Sequence, residues 1–243
     1  MLHGENMAKF TSHVWSDIRG SISGTVYSRN RFGLYTRRRV APINPRTAAQ
    51  SLRRELLAAL AANWRNLDPA FQDGWRALAE RFAASDSLGQ NIRLTGTQLY
   101  VGLNARRILV GLPRLDEPPP DIGTPPTLSS VILTVDSTAP DMNISFTPTP
   151  LVGAIVIEGA APVSAGVNFV GRNKFRLLKT ARPANPGATI TSPIQFSSEY
   201  IQRFGVPPIG SKVFIRVIPV SFATAETAGF AGTPVVVSRV VLS

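Results

Sequence analysis

Apart from its arginines, this sequence offers few side chains suited to chemistry. The chain has no cysteine and only two histidines, His3 and His13, both near its N-terminus. A metal site needs several His, Cys or carboxylate ligands at matched spacing, and a hydrolase triad would have to recruit His13 although no G-x-S-x-G turn surrounds any serine. No G-x-x-x-x-G-K-[ST] phosphate loop occurs either. We therefore expect no catalytic residue, no metal site, no cofactor and no enzymatic activity.

The arginines concentrate in the stretch GTVYSRNRFGLYTRRRV, residues 24–40. This stretch predicts a β-hairpin, and the side chains of a strand alternate between its two faces. Arg37 and Arg39 then share one face with Tyr35, while Arg38 lies on the other. No one-sided core accounts for guanidinium groups on both faces, so we expect a partner to contact them. The candidate interface residues are Tyr27, Arg29, Arg31, Phe32, Tyr35, Arg37, Arg38, Arg39 and Arg46.

The net charge of +11 is distributed unevenly over the 243 residues. Residues 1–115 hold 17 basic and 7 acidic residues, whereas residues 116–243 hold 9 and 8. Only four of the 26 basic residues are lysine. Arginine is suited to ion pairs at interfaces because its guanidinium is weakly hydrated and binds through a planar fork. A GC-rich genome would also favour arginine codons.

Proline marks a change along the chain. Three prolines lie in residues 1–112 and 17 lie after them. Because proline fixes φ and lacks a backbone donor, GLPRLDEPPPDIGTPPTL at residues 111–128 predicts an extended linker. We therefore predict an α+β chain of two domains, with a basic domain over 1–115, a Pro-rich linker over 116–128 and a second domain over 129–243.

The first domain is predicted to contain the β-hairpin and about three helices. Their starts are indicated by a Thr47…Gln50 capping-box spacing, by Asp68 as an N-cap, and by a Thr95…Gln98 capping-box spacing. We expect the tryptophans of the first two helices to be buried together where these helices pack. The predicted apolar faces are Leu52, Leu56, Leu60 and Trp64 in the first helix, Phe71, Trp75, Leu78 and Phe82 in the second, and Leu99 and Leu103 in the third.

Short apolar stretches separated by proline and glycine predict β-strands in the second domain. Six or seven such strands favour an antiparallel β-sandwich of immunoglobulin or fibronectin III type. The cysteine pair and central tryptophan of antibody domains are missing, which favours the fibronectin-like variant. A helical turn is predicted over 197–205. The predicted strands are 129–135, 142–147, 153–158, 174–180, 211–220 and 234–242.

The N-terminal sequence MLHGENMAKF lacks the apolar core of a secretory signal. The longest apolar runs, such as LVGAIVI, are too short to cross a bilayer. We expect no signal peptide, no transmembrane segment and no membrane partner. Met7 is an alternative start to Met1.

Two functions from different classes fit these patterns. Arginines interleaved with tyrosine and phenylalanine suit phosphate contacts and base stacking, as in a nucleic-acid-associated protein. An assembly module explains more of the sequence, because it accounts for arginines on both faces of a hairpin, the stiff linker and the missing chemistry together. Arginine and tyrosine are also enriched at protein interfaces. We favour assembly and keep a basic protein packaged with the genome as the alternative.

Several motifs resemble those of a protein family found in tailed bacteriophages and prophages. A Gly-rich segment leads to Ser-Arg, then to N-P-R-T and a glutamine, and then to W-x-x-L, a second tryptophan and a Q-L-Y…N helix. A further motif, Y-x-x-R-F-G-x-P-x-x-G, runs from Tyr200 to Gly210. The other positions that carry the resemblance are Gly20, Gly24, Ser28, Arg29, Asn44, Pro45, Arg46, Thr47, Gln50, Trp64, Leu67, Trp75, Gln98, Leu99, Tyr100 and Asn104.

The resemblance covers most of the chain and implies a structural role in a virion, at its head, neck or tail. It supplies no catalytic residue and no small-molecule substrate. The partners that it implies are other copies of the chain and other virion structural proteins. The expected location is the virion, after synthesis in the host cytoplasm.

Overall fold

The computed structural model describes residues 7–9, 18–31, 33–40, 44, 46–82, 84–85, 91–120, 126–135, 141–185, 187–222 and 229–242. Their contacts divide the chain into two compact units. Unit 1 is drawn from Met1–Glu55 and Ala83–Ile92, and unit 2 from Leu56–Phe82 and Arg93–Ser243. The domain boundary predicted near residue 116 lies inside unit 2, so this division differs from the predicted one. Independent folding of 129–243 stays a prediction.

The described residues form helices and antiparallel strands, which confirms the predicted α+β class. In chain order the elements are β1 (Met7–Lys9), β2 (Gly20–Ile22), β3 (Thr25–Asn30), β4 (Gly33–Arg38), α1 (Ala48–Asn66), α2 (Pro69–Arg81), β5 (Ala84–Ser85), β6 (Asn91–Ile92), α3 (Gly96–Leu109), β7 (Ser130–Val135), β8 (Met142–Thr147), β9 (Leu151–Val152), β10 (Ala154–Gly159), β11 (Val163–Ser164), a 3₁₀ helix (Arg172–Lys174), β12 (Arg176–Ala181), β13 (Thr189–Ile190), β14 (Ile194–Gln195), α4 (Ser197–Phe204), β15 (Ser211–Val220) and β16 (Val235–Val240).

The helices begin where local capping chemistry predicts. The Asp68 carboxylate accepts a hydrogen bond from the backbone N–H of Ala70 at 2.8 Å, and Pro69 occupies the first turn of α2. In α3 the Thr95 hydroxyl accepts from the N–H of Gln98, and the Gln98 side chain accepts from the N–H of Thr95. This reciprocal pair is the predicted capping box, and it satisfies two backbone donors that a helix start otherwise leaves open.

The helical core of unit 2 uses only part of the predicted apolar faces. Trp75, Leu78, Leu99, Leu103 and Leu60 are buried together, as predicted. The predicted burial was wrong at two positions, one in α1 and one in α2. In each helix only the turns that contact this core bury their apolar side chains. Leu52 in α1 is 68% exposed and Phe71 in α2 is 36% exposed.

An aromatic side chain of α3 lies between the two tryptophans. The ring centroid of Tyr100 is 5.4 Å from that of Trp64 and 5.4 Å from that of Trp75. The Trp75 pair is edge-to-face, a favoured geometry for aromatic rings. Trp75 has no exposed surface, whereas Trp64 is half-buried. The predicted joint burial is therefore confirmed for Trp75 and is only partial for Trp64.

The six predicted strands correspond to β7, β8, β10, β12, β15 and β16 to within two residues at each end, and α4 confirms the predicted helical turn. The two-residue strands β9, β11, β13 and β14 were not predicted. One sheet has the order β11-β15-β10-β12, with β16 also paired to β15. A second has the order β14-β8-β7, and β13 pairs with β9. Residues of both larger sheets form one apolar core: Leu133, Ile144 and Phe146 come from the second sheet, and Ile157 and Ile215 come from the first.

β10 and much of β15 are buried on both faces of their sheet. Odd-numbered residues of β15, such as Val213 and Val217, face the core shared by the sheets. On the other face, Val156 of β10 and Val220 of β15 pack with Val110, which directly follows α3. The end of the helical segment thus covers a sheet face that an isolated strand domain would leave open to water.

The first part of the Pro-rich stretch, which was predicted to be an extended linker, is hydrogen-bonded to α2 and α3. We call residues 113–120 the tethered segment. Asn104 donates to the carbonyl oxygen of Leu115 at 3.0 Å and accepts from its N–H at 2.7 Å. The guanidinium of Arg107, which is 2% exposed, donates to the carbonyl oxygen of Pro113 at 3.0 Å. These bonds satisfy backbone groups that proline-rich chain cannot satisfy by itself.

Tyr100 of α3 and Asp116 of the tethered segment form a further contact between these two elements. The Tyr100 hydroxyl donates to a carboxylate oxygen of Asp116 at 3.3 Å, and Arg114 donates two hydrogen bonds to the same carboxylate. Burial, and then the negative charge of Asp116, raise the pKa of Tyr100 to about 12. The hydrogen bonds from Arg114 lower the pKa of Asp116.

No helix in the described part of the chain is both long enough and apolar enough to cross a membrane.

Candidate docking surface

The arginine-rich stretch belongs to a four-stranded sheet in unit 1, not to an isolated hairpin. Its strand order is β1-β4-β3-β2, with antiparallel pairing throughout. β4 therefore lies between two strands, with Arg37 opposite both Met7 of β1 and Val26 of β3. The sequence predicted only β3 and β4, because three-residue strands such as β1 and β2 are too short to show alternation. The two added strands supply the support that a lone hairpin lacks.

Two tight turns fix the register of this sheet. Between β2 and β3, Ser23 and Gly24 have φ angles of 42° and 82°. Positive φ at both central residues is the type I′ geometry that matches the twist of paired strands. Between β3 and β4, Asn30 lies opposite Gly33, and Arg31 begins the turn that joins the two strands. Phe32 lies outside the described residues.

The register assigns each candidate residue to a face. Tyr27 pairs with Thr36 and Arg29 pairs with Leu34, so these residues share one face, which we call face A. Tyr35 pairs with Ser28, on the opposite face, which we call face B. Face A comprises Thr25, Tyr27, Arg29, Leu34, Thr36 and Arg38, and face B comprises Val26, Ser28, Tyr35 and Arg37. The predicted division of the arginines between two faces is confirmed for β4.

Four arginines in or beside this sheet are exposed, and none of them forms an ion pair with another described residue. Arg29, Arg37, Arg38 and Arg39 are all exposed. Among the residues that the structure describes, no carboxylate lies within salt-bridge distance of these four. Tyr27 and Tyr35 are half-buried and lie beside them. Exposed guanidinium groups therefore lie on both faces of one sheet.

The remaining candidate residues are not part of the sheet itself. Arg39 follows β4, and its backbone N–H donates to the carbonyl oxygen of Gly24 at 2.6 Å, which extends the strand pairing by one bond. Arg46 lies before α1 with a φ of 48°, and its N–H donates to Asn44. The structure thus places Arg29, Arg37 and Arg38 in one sheet with both tyrosines, whereas Arg31 lies in the turn after β3 and Arg46 lies in the segment before α1.

The exposed guanidinium groups give this sheet side chains that are suited to binding anions. A guanidinium presents several N–H donors in a plane, and it binds a carboxylate or a phosphate through two parallel hydrogen bonds. In the described part of the chain, no group of three His, Cys, Asp or Glu side chains is placed to hold a metal ion.

No protein-family model, no curated protein and no solved structure matches this chain in sequence or fold.

Proposed function

We propose that this chain is a non-enzymatic assembly protein that docks onto acidic protein surfaces through the β1–β4 sheet. One observation carries the proposal: exposed guanidinium groups occupy both faces of a single sheet without a carboxylate of the described chain to pair with. A sheet charged on both faces suits insertion between two partner surfaces or two copies of the chain. Tyrosines beside the arginines add the apolar contact area that protein interfaces use.

The setting proposed for this docking is a phage-like particle, and it rests on the sequence motifs that resemble tailed-phage proteins. In that setting the partners are copies of this chain and other virion structural proteins. We further propose that the strands of unit 2 form a fibronectin-like β-sandwich. The apolar core shared by its two larger sheets supports this, because two sheets packed face to face are the basis of that architecture.

A nucleic-acid-associated protein is the second candidate, favoured by the composition of face A. Arg29, Arg38 and Tyr27 on that face provide phosphate contacts and an aromatic ring for stacking. This candidate predicts a different dependence on salt. Each neutralised phosphate of duplex DNA contributes a slope of about −0.9 in log K against log salt, whereas partly buried Arg–carboxylate pairs are screened much less.

The test compares the full chain with its triple variant R37S/R38S/R39S. A matched control, R53S/R65S/R203S, removes the same charge from exposed arginines elsewhere in the chain. Sedimentation velocity measures self-assembly, and binding to poly-glutamate and to duplex DNA is measured at about 0.15 and 0.5 M salt. We expect the triple variant to lose assembly and poly-glutamate binding while the control and the circular-dichroism spectra remain unchanged.

Two outcomes would decide against the proposal. Normal assembly and normal poly-glutamate binding by R37S/R38S/R39S would overturn docking through this sheet. Loss of DNA binding with assembly intact would favour the nucleic-acid candidate. The particle setting has its own test: genes for capsid, portal or tail proteins beside the gene of this chain would support it, and metabolic genes on both sides would oppose it.

A further inference from the structure

A groove of about 460 Å³ lies beside β11 and α4 in unit 2. Val163 of β11, Val167 and Val170 form apolar walls, and Phe204 of α4 closes one side. The volume lies in the range of roughly 300–1,000 Å³ in which protein ligand sites fall. The groove is remote in sequence from the arginine-rich sheet, and its interpretation does not rest on the function proposed above.

The base of the groove is firmly built. Phe175, Phe214 and Ala160 form a small buried cluster beneath it, and the apolar wall residues pack against this cluster. The guanidinium of Arg216 stacks on the ring of Phe175, 5.1 Å from its centroid, and pairs with Glu158. A groove over a packed base keeps its shape without a ligand, which reduces the entropy lost when one binds.

The wall formed by α4 is fixed as well. Tyr200 is fully buried, and its hydroxyl donates to the carbonyl oxygen of Ala160 at 3.0 Å. Its ring lies 5.1 Å from that of Phe204, the residue that lines the groove. The hydrogen bond therefore positions the aromatic wall relative to the cluster below.

The rim of the groove is basic and carries an exposed aromatic ring. Lys174 and Arg176 line it and are exposed, and no Asp or Glu is found among its described lining residues. No carboxylate of the described chain pairs with Lys174. Phe169, also on the groove, is 80% exposed. The surrounding sequence from Gly159 to Ser198 contains five basic residues and no acidic one.

From these features we infer that the groove binds a segment of a partner protein in which a large apolar side chain is flanked by acidic residues. The apolar side chain enters the groove, and the carboxylates meet Lys174 and Arg176 at the rim. Charge complementarity selects the acidic flank, because a basic flank would face two like charges. The exposed ring of Phe169 favours a polypeptide over a small molecule as the ligand. Only a ligand that extends beyond the groove would cover this ring.

The test uses short labelled peptides of the form Gly-Ser-X-Z-X-Ser-Gly with the full chain. Z is Phe, Leu or Ala, and X is Asp, Lys or Ser, so apolar size and flanking charge vary independently. NMR chemical-shift titration gives both the affinity and the residues affected. We expect the Asp-Phe-Asp peptide to bind with Kd below about 1 mM and to shift Val167 and Val170. The Ala and Lys peptides should bind at least about fivefold more weakly.

Matched variants test the apolar contact and the charge contact of the groove separately. Phe169→Ser and Lys174→Glu should each weaken Asp-Phe-Asp binding about tenfold. Ile132→Ser, which alters another exposed apolar residue of unit 2, and Arg239→Glu, which reverses another exposed charge, should leave binding unchanged. Because all four residues are exposed, each variant should retain the parental melting temperature.

The inference would be overturned if no peptide of the panel bound, if flanking charge had no effect, or if the control variants lost as much affinity as the groove variants. The same NMR titration is repeated with vesicles that contain phosphatidylglycerol. If the same residues shifted with vesicles and not with peptides, the groove would bind an anionic lipid surface instead of a protein segment, and the inference would be wrong.

Discussion

The indole N–H of Trp75 donates a 2.8 Å hydrogen bond to the backbone carbonyl oxygen of Asp116, 41 residues further along the chain. Trp75 has no exposed surface, so water does not compete for this bond. The bond joins α2 to the tethered segment, and Tyr100 contacts both residues. A stretch that proline makes unsuitable for helix or sheet is thereby part of the helical core.

The two tryptophans should differ in their contribution to stability. Trp75→Ala should lower the free energy of unfolding by about 3–5 kcal/mol, because it empties a fully buried site and removes the bond to Asp116. Trp64→Ala should cost clearly less, since Trp64 is half-buried. Urea unfolding followed by circular dichroism measures both values. Equal losses would show that the burial difference has no energetic consequence.

Two glycines of α3 should respond to alanine with opposite signs. A Cβ at Gly96 would lie 2.9 Å from the backbone nitrogen of Arg76, too close for a backbone atom that cannot move away freely. Gly96→Ala should therefore destabilise by about 1–3 kcal/mol. At Gly102 the nearest atom would lie 3.9 Å away, at the tip of a flexible arginine. Gly102→Ala should stabilise the protein by about 0.5–1 kcal/mol through helix propensity.

Thermal unfolding of the two glycine variants provides the comparison. They are matched in residue change and in helix, so the difference between them isolates the close approach of α2 to the start of α3. A stable Gly96→Ala variant would contradict that approach.

Stability should fall at alkaline pH partly because of Tyr100. An unfolded tyrosine loses its proton near pH 10, whereas burial and Asp116 raise the pKa of Tyr100 to about 12. Between these values the unfolded chain releases a proton that the folded chain retains. Unfolding therefore becomes more favourable as pH rises, by at most about 1.4 kcal/mol per pH unit from this residue.

The variant Tyr100→Phe tests this contribution. Its free energy of unfolding should decline less steeply than that of the parent between pH 10 and 12, while the difference between the two proteins stays constant below pH 9. Tyr200, whose pKa burial also raises, titrates in both proteins and cancels in the comparison. Parallel pH profiles over the whole range would argue against a buried, neutral Tyr100.

Two fragments should differ in the quality of their fold. Residues 56–243 retain the helical core and the end of α3, which covers Val156 and Val220. Residues 116–243 retain the strands and expose that sheet face. We expect both fragments to show β-structure, and the shorter one to melt at lower temperature and to bind a dye for apolar surface. A disordered spectrum for residues 116–243 would show that the strands need the helices to fold at all.

The sequence by itself determined the helices and the longer strands of this protein. Asp68 with Pro69 and the Thr95…Gln98 pair located two helix starts, and short apolar stretches located β8 and β15 at their observed bounds. These signals depend on interactions between residues only a few positions apart, so they can be recognised in the sequence without knowledge of the tertiary contacts. The concentration of arginine in residues 24–40 is likewise a property of composition, and it pointed to the candidate docking surface.

Only the tertiary structure decided which faces these elements bury. It added β1 and β2 to the hairpin, bound Asp116 to Trp75, and placed Val110 against the outer face of β10 and β15. It also assembled the groove from β11, a 3₁₀ turn and α4, with Phe169 left exposed. Each of these contacts joins residues far apart in the chain. Its free energy depends on the apolar area and hydrogen bonds completed by both sides, so neither segment encodes it alone.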